Sequence, residues 1–105
     1  MDNKYSVVIT TCANDEDAKI IIDSLLEKKL AACIQVFHVN SYYSWKGSVA
    51  NDPESILFIK CKDLNYDEIE ADIITNHKYE TPEIIKLPII TGFSGYLQWM
   101  EEVSK

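Results

Sequence analysis

The sequence predicts an α+β fold, a ferredoxin-like βαββαβ sandwich with a short C-terminal helix, in one domain that spans residues 1–105. Two observations support this. A chain of 105 residues, with 47% hydrophobic and 26% charged residues, has the size and composition of a single globular domain. Strand-like and helix-like segments alternate in the order β-α-β-β-α-β-α, and right-handed crossovers then place two helices on one face of a four-stranded antiparallel sheet.

The first half of the chain predicts a strand, a helix and a long hairpin. β-Branched and aromatic residues over 5–12 are typical of a strand. Asn14 can cap a helix whose apolar residues recur every three or four positions over 18–26. Residues 31–43 alternate again, and we expect them to continue into a hairpin that turns at Lys46-Gly47.

The middle of the chain predicts a further turn, a strand and a second helix. Asn51-Asp52-Pro53 indicates a turn, because Asn and Asp bond their own backbone and Pro fixes its φ angle. Alternation resumes over 54–62, which predicts a strand. Asp63 can cap a helix that continues to about Asn76.

The last third predicts an edge strand and a short helix. Residues 83–90 are strand-like, and Pro88 within them favours an edge position or a bulge, since proline cannot donate to a ladder. Ser94 can cap a final helix. The apolar face of that helix contains Leu97, Met100 and Val103. One such short helix cannot cover the second sheet face, so we expect the chain to self-associate through it.

Charge and cysteine content exclude several classes of protein. The formal net charge is −7, and all ten cations are lysine. A chain without arginine is a poor candidate for binding nucleic acid or an anionic membrane. Three cysteines without a C-x-x-C pair fit neither a disulfide framework nor a zinc knot. No signal peptide is recognisable, so we expect a cytoplasmic protein.

A short polar segment suggests a site for a divalent metal. His77, Glu80 and Glu83 fall within seven residues, and a thiolate from Cys33 or Cys12 would complete a set suited to Cu(II) or another divalent cation. A solvated loop is the simpler interpretation of this segment, and Cys33 also fits a small core residue. We expect no tightly bound cofactor. The second histidine, His38, lies in a strand and is expected to be packed or at an interface.

Aromatic residues outside the helices suggest a cleft for a small polar ligand or, more simply, an oligomer contact. The candidate cleft residues are Tyr43, Trp45, Lys60, Tyr79, Glu83 and Trp99. No phosphate-binding loop is present, and neither Cys12 nor Cys33 is predicted beside an activating cation. The sequence therefore predicts no enzyme.

Five segments, taken together and in order, resemble the CutA family of divalent-cation tolerance proteins. The matching stretches are Leu30-Ala31-Ala32-Cys33-Ile34, Ser41-x-Tyr43-x-Trp45-x-Gly47, Glu54-x-x-Leu57-x-Ile59-Lys60, His77-x-Tyr79-Glu80-x-Pro82-Glu83-Ile84-Ile85-x-Leu87-Pro88-Ile89 and Tyr96-Leu97-x-Trp99. Two positions depart from the family pattern. Lys78 stands where proline is usual, and Thr10 stands where a proposed bacterial metal site has cysteine, with Cys12 two residues further on.

The resemblance implies a homotrimer of ferredoxin-like subunits, similar in architecture to the PII signalling trimers, without established enzymatic activity. It also implies a link to tolerance of copper and other divalent metals. Two hypotheses stay open. In the first, His77 with Glu80 or Glu83 binds Cu(II) or a similar ion. In the second, a signalling or scaffold trimer binds a small molecule or a partner in its inter-subunit cleft.

Overall fold

The structure is a computed structural model that describes residues 3–105, and it confirms a mixed α+β fold. A four-stranded antiparallel sheet has the strand order β2-β3-β1-β4. In chain order the elements are β1 (Tyr5–Cys12), α1 (Asp15–Glu27), β2 (Cys33–Trp45), β3 (Ser48–Lys62), a 3-10 turn (Asp63–Asn65), α2 (Tyr66–Asn76), β4 (Ile84–Ile89) and α3 (Ser94–Val103).

The helix α1 begins as its sequence predicts. The Asn14 side chain accepts a hydrogen bond of 2.8 Å from the backbone N–H of Asp17, which satisfies one of the free donors of the first turn. Acidic residues at 15–17 complement the positive end of the helix dipole. The face that carries Ile21 and Leu25 is fully buried against the sheet, as the apolar repeat requires.

The core lies between the two long helices and one face of the sheet. On the sheet side it contains Val8, Leu57 and Ile59, and from α2 it receives Ile69 and Ile73, all fully buried. Successive strand residues point to opposite faces of the sheet. In β3 every second residue from Ser55 to Cys61 is buried and the residues between are partly exposed, so the helices cover the face that carries Ser55, Leu57, Ile59 and Cys61.

The hairpin between β2 and β3 turns at Lys46-Gly47, as predicted. Both residues have positive φ angles, 50° and 81°, which is the backbone that a two-residue turn between twisted strands needs. The predicted turn at Asn51-Asp52-Pro53 is wrong, because β3 runs through it and Pro53 lies opposite Asn40. β1 ends at Cys12, opposite Ser55 of β3, so at Pro53 the strand β3 has no partner on that side. Proline is tolerated there because the N–H that it lacks would face this unpaired edge.

Two predicted helix caps are also wrong. Asp63 is the first residue of the 3-10 turn instead of the cap of α2, and its carboxylate accepts a hydrogen bond of 2.7 Å from Ser6 Oγ and pairs with Lys86 at 3.0 Å. Both contacts lower the pKa of Asp63, the bond from Ser6 most of all. Ser94 lies inside α3, which begins after Phe93. The edge position of β4 is confirmed, with Pro88 opposite Ser6.

The second sheet face stays largely open. The register places Ile9, Phe58 and Ile85 side by side on it, and Ile85 is 47% exposed. The helix α3 lies over one end of this face, where Lys62 of β3 forms an ion pair with Glu101. Of its predicted apolar face, only Met100 is fully buried. A contiguous apolar surface on a sheet is typical of an interface.

Two leucines provide a matched test of this core assignment. Leu57 is fully buried, whereas Leu64 is 78% exposed. We expect Leu57→Ala to lower the free energy of unfolding by about 2–5 kcal/mol, because it leaves a cavity under the helices. Leu64→Ala should change it by no more than about 0.5 kcal/mol. Urea unfolding followed by circular dichroism measures both values, and equal losses would contradict the assignment.

Candidate functional site

A cleft of about 960 Å³ lies between the outer part of the hairpin and the loop that precedes β4. Four carboxylates line it, and none of the residues that line it is a lysine or an arginine. We call it the acidic cleft; its carboxylates are Asp52, Glu54, Glu80 and Glu83, and its aromatic walls include Tyr43, Trp45 and Tyr79. A cavity with this lining attracts cations.

Two tyrosines hold carboxylates of the acidic cleft in place. Tyr79 donates a hydrogen bond of 2.7 Å from its hydroxyl to Glu54 Oε2, and the Tyr43 hydroxyl donates to Asp52. Burial, followed by the bond to Glu54, raises the pKa of Tyr79, while the bond to Asp52 is the main cause of the raised pKa of Tyr43. Both phenols therefore stay protonated donors. Each carboxylate keeps lone pairs that can accept a further ligand.

His77 braces the loop that forms one side of the acidic cleft. Its Nε2 lies 2.8 Å from the carbonyl oxygen of Thr11, so this nitrogen carries the proton and donates. Its Nδ1 accepts the backbone N–H of Tyr79 at 3.0 Å. Cys12 Sγ lies 3.8 Å from Nε2. Because both ring nitrogens make hydrogen bonds to the backbone, a metal ion could reach His77 only by breaking one of them.

The five candidate metal ligands do not come together in one chain. Cys12 pairs with Ser55 and Cys33 with Lys60, and five positions along β3 correspond to roughly 17 Å. Burial is the largest cause that raises the pKa of the Cys12 thiol, to about 11, so its thiolate is scarce at neutral pH. Among residues 3–105 no three His, Cys, Asp or Glu side chains lie close enough together to hold a metal ion.

The candidate cleft residues fall into two groups. Tyr43, Trp45, Tyr79 and Glu83 line the acidic cleft. Two aromatic rings and a lysine form the other group near α3. Lys60 Nζ lies 5.5 Å from the centre of the Tyr96 ring, and the Tyr96 and Trp99 rings lie 5.5 Å apart.

Sequence reasoning missed Asp52 and Glu54 as cleft residues. The expected turn over 51–53 hid them, although strand-like alternation continues on both sides of Pro53. It also missed a polar cluster on the helix side of the hairpin. There His38 Nε2 lies 2.9 and 3.0 Å from the two carboxylate oxygens of Asp15, and buried Ser55 donates from Oγ to Asp15 Oδ1 at 2.6 Å.

Within the single chain His38 is not packed, since 72% of its side chain is exposed, and its expected place at an interface stays a prediction. The hydrogen bond from Ser55 is the first cause that lowers the pKa of Asp15, and the bond from His38 is the second. A smaller cavity of about 370 Å³ adjoins this cluster, and no lysine lines it.

The fold and the acidic cleft together define a small α+β sandwich protein with an anionic cavity beside an uncovered sheet. No helix within residues 3–105 combines the length and the apolar character that a bilayer crossing requires. The model of the CutA1 divalent ion tolerance protein family matches residues 6–103, and the chain belongs to this family.

Relatives from distant organisms support this assignment. A protein from Arabidopsis thaliana named "Protein CutA, chloroplastic" is 35% identical over 94% of this chain and 55% of its own length. The "Divalent-cation tolerance protein CutA" of Archaeoglobus fulgidus is 32% identical over 93% of this chain and 96% of its own length. The chain spans a little over half the length of the plant relatives that it matches.

Solved structures agree with the fold. The crystal structure of CutA1 from a psychrotrophic Shewanella species superposes with a TM-score of 0.94 at 40% identity, and the match covers 99% of this chain and 98% of that one. The structure of the divalent cation tolerance protein from Thermus thermophilus gives a TM-score of 0.91 at 33% identity, covering 96% and 99% of the two chains.

Thiol accessibility tests the environment of Cys12. Burial is the largest cause that raises the pKa values of Cys12 and Cys61, to about 11 and about 12, while Cys33 is only half-buried. At pH 8 we expect the native protein to react rapidly with at most one equivalent of 5,5′-dithiobis(2-nitrobenzoate), because only thiolates attack disulfides. The denatured chain should consume three equivalents. Rapid reaction of native Cys33→Ser protein would contradict this environment.

Proposed function

We propose that the protein contributes to divalent-cation tolerance by binding divalent cations at the acidic cleft, and that it does so as a homotrimer without a catalytic step. The observation that carries the proposal is the lining of the cleft, which has four carboxylates and no lysine. Carboxylate and carbonyl oxygens are suitable ligands for divalent ions. The family assignment supports the same ligand class.

The position of the carboxylates favours reversible binding over a permanently occupied site. Asp52, Glu80 and Glu83 are exposed, and no three acidic, histidine or cysteine side chains within residues 3–105 converge at metal-ligand distances. A cation would keep much of its water and interact through two carboxylates at a time. Cu(II) is one such cation, although these oxygen ligands do not select copper over other divalent ions.

The open sheet face supports the trimeric state. Phe37 is 44% exposed, and Ile85 and Leu87 on the edge strand β4 are 47% exposed each, so water contacts an apolar surface that a partner could cover. The hairpin also extends beyond the body of the domain and offers an unpaired edge. Closed rings of identical subunits satisfy both features, because each copy supplies and receives the same surface.

A signalling or scaffold role has weaker support. Within one chain, a small-molecule site built from all six candidate cleft residues would need Lys60 and Trp99 near the acidic cleft, whereas Lys60 lies beside Tyr96 of α3, the helix that also carries Trp99. We also propose a cytoplasmic location. The buried, protonated thiols of Cys12 and Cys61 suit a reducing compartment.

The oligomeric state has a direct test. A trimer of the 12.0 kDa chain has a mass of about 36 kDa. We expect size-exclusion chromatography with light scattering to give that mass at micromolar concentration, with or without metal. A charge placed on the open face by Ile85→Glu should weaken the assembly, while Leu64→Glu should not, because Leu64 lies outside that face. A stable 12 kDa monomer of the unmodified chain would contradict the trimer.

The cation site is tested with Glu54 and Glu80, which line the acidic cleft. We expect calorimetric titration with Mn²⁺ to show the dissociation constant rising at least about thirtyfold in the Glu54→Gln/Glu80→Gln double variant. Each lost charge removes about 1 kcal/mol or more of attraction at 4 Å from a divalent ion in water. Glu102→Gln on exposed α3 is the matched control and should bind like the unmodified protein. Equal affinities for the double variant and the unmodified protein would refute the cleft as the site.

A further inference from the structure

The two histidines of the chain differ in whether an imidazole nitrogen is free to bind a ligand. His77 uses Nε2 to donate to the carbonyl of Thr11 and Nδ1 to accept from Tyr79, so both nitrogens hold the backbone. His38 has only one partner, the carboxylate of Asp15, and its Nδ1 makes no hydrogen bond within residues 3–105. His38 is therefore the imidazole that can bind an ion through Nε2 without breaking a hydrogen bond to the backbone, because its unbonded Nδ1 can take the proton.

The geometry of the His38–Asp15 pair is close to that of two ligands of one metal ion. His38 Nε2 lies 2.9 and 3.0 Å from the Asp15 oxygens. Two ligand atoms, each about 2.0 Å from a tetrahedral Zn²⁺, lie roughly 3.3 Å apart. The ion would fit between His38 Nε2 and an Asp15 oxygen if the distance between these two atoms increased by a few tenths of an ångström. The 72% exposure of the His38 side chain leaves room for that movement and for water ligands.

The surroundings of Asp15 orient it as a ligand. Buried Ser55 donates a hydrogen bond of 2.6 Å to Asp15 Oδ1, and this leaves Oδ2 for the ion. Hydrogen bonds of this kind fix the direction of a metal-binding carboxylate. The acidic first turn of α1, Asp15 to Asp17, outweighs the positive end of the helix dipole, and no lysine lines the adjoining cavity.

We propose that His38 Nε2 and the Asp15 carboxylate form a second divalent-cation site, separate from the acidic cleft, that prefers Zn²⁺, Ni²⁺ or Cu²⁺. It deepens the proposed function and rests on it, since it takes divalent cations as the ligands of this protein. When the ion binds, the proton of neutral His38 moves from Nε2 to Nδ1 through water, and a protonated ring releases one proton. Two protein ligands and water complete the coordination. The nitrogen ligand gives the preference for these ions over Mn²⁺ or Mg²⁺.

The first test needs no substitution. Long-range ¹H–¹⁵N spectra of the full chain at pH 7.5, titrated with Zn²⁺ alone, report each imidazole nitrogen separately. We expect the His38 Nε2 resonance to shift by tens of parts per million towards a metal-bound position while both His77 nitrogens stay in place. A shift confined to His77, or no shift of either ring when Zn²⁺ saturates the protein, would overturn the proposal.

The second test separates this site from the acidic cleft. We expect His38→Gln and Asp15→Asn to raise the Zn²⁺ dissociation constant at least about tenfold and to leave Mn²⁺ binding unchanged. The matched control Glu102→Gln, on exposed α3 and away from both sites, should keep the Zn²⁺ affinity, with its fold verified by circular dichroism. If the Zn²⁺ affinity is unchanged in His38→Gln but is lost in Glu54→Gln/Glu80→Gln, this proposal would be overturned and the cleft proposal would stay intact. If His38→Gln weakens Zn²⁺ binding while Glu54→Gln/Glu80→Gln changes the affinity for neither Zn²⁺ nor Mn²⁺, the result would support this site and contradict the cleft.

Discussion

The difference in length between β3 and β1 determines the shape of the molecule. β3 has 15 residues and β1 has eight, so the first seven residues of β3 pair with β2 alone. Within residues 3–105 no helix covers this overhang, and the molecule is elongated, 45 Å by 27 Å by 22 Å. Residues on the overhang can be charged or aromatic without loss of core packing. Asp52 and Trp45 are examples, and both line the acidic cleft.

The loop from His77 to Glu83 completes the cleft because it is tied to the end of β1. His77 bonds to the carbonyl of Thr11, and Tyr79 reaches across to Glu54 on β3. These contacts join three segments that are far apart in sequence and hold a carboxylate at the edge of the sheet. The histidine thus positions the anionic groups through neutral hydrogen bonds, which deliver orientation without adding a positive charge to the cleft.

Local signals in the sequence predict the elements whose geometry is decided locally. Asn14 caps α1 through a bond to Asp17, three residues away, and Lys46-Gly47 adopts the positive φ angles of a tight turn. The failures have distant causes. Asp63 finds Ser6 of β1 instead of the first turn of α2, and Asn51-Asp52-Pro53 is drawn into a strand by pairing with residues 40–42. Tertiary contacts here override turn and cap propensities.

The candidate site is predictable only in part for the same reason. Sequence proximity associates Tyr79 with Glu83, and aromatic character singles out Tyr43 and Trp45 of the hairpin; all four line the acidic cleft. The sequence alone cannot supply the strand register that places Cys33 opposite Lys60, away from Cys12. The pairing of His38 with Asp15 also depends on how β2 lies against the first turn of α1.

Charge connects the cleft to assembly. In the proposed trimer, three copies at −7 each would carry −21, and this repulsion opposes the gain from covering the open apolar face. The acidic groups of the overhang and of the first turn of α1 nevertheless lie away from the open face, where Phe37, Phe58 and Ile85 form a neutral surface. Cations bound at the carboxylates would reduce the repulsion without occupying the apolar surface. A trimer that binds cations more tightly than a monomer is, by linkage, stabilised by them. In the proposed trimer, the separation of anionic and apolar surfaces would therefore allow one small domain to assemble and to bind cations at the same time.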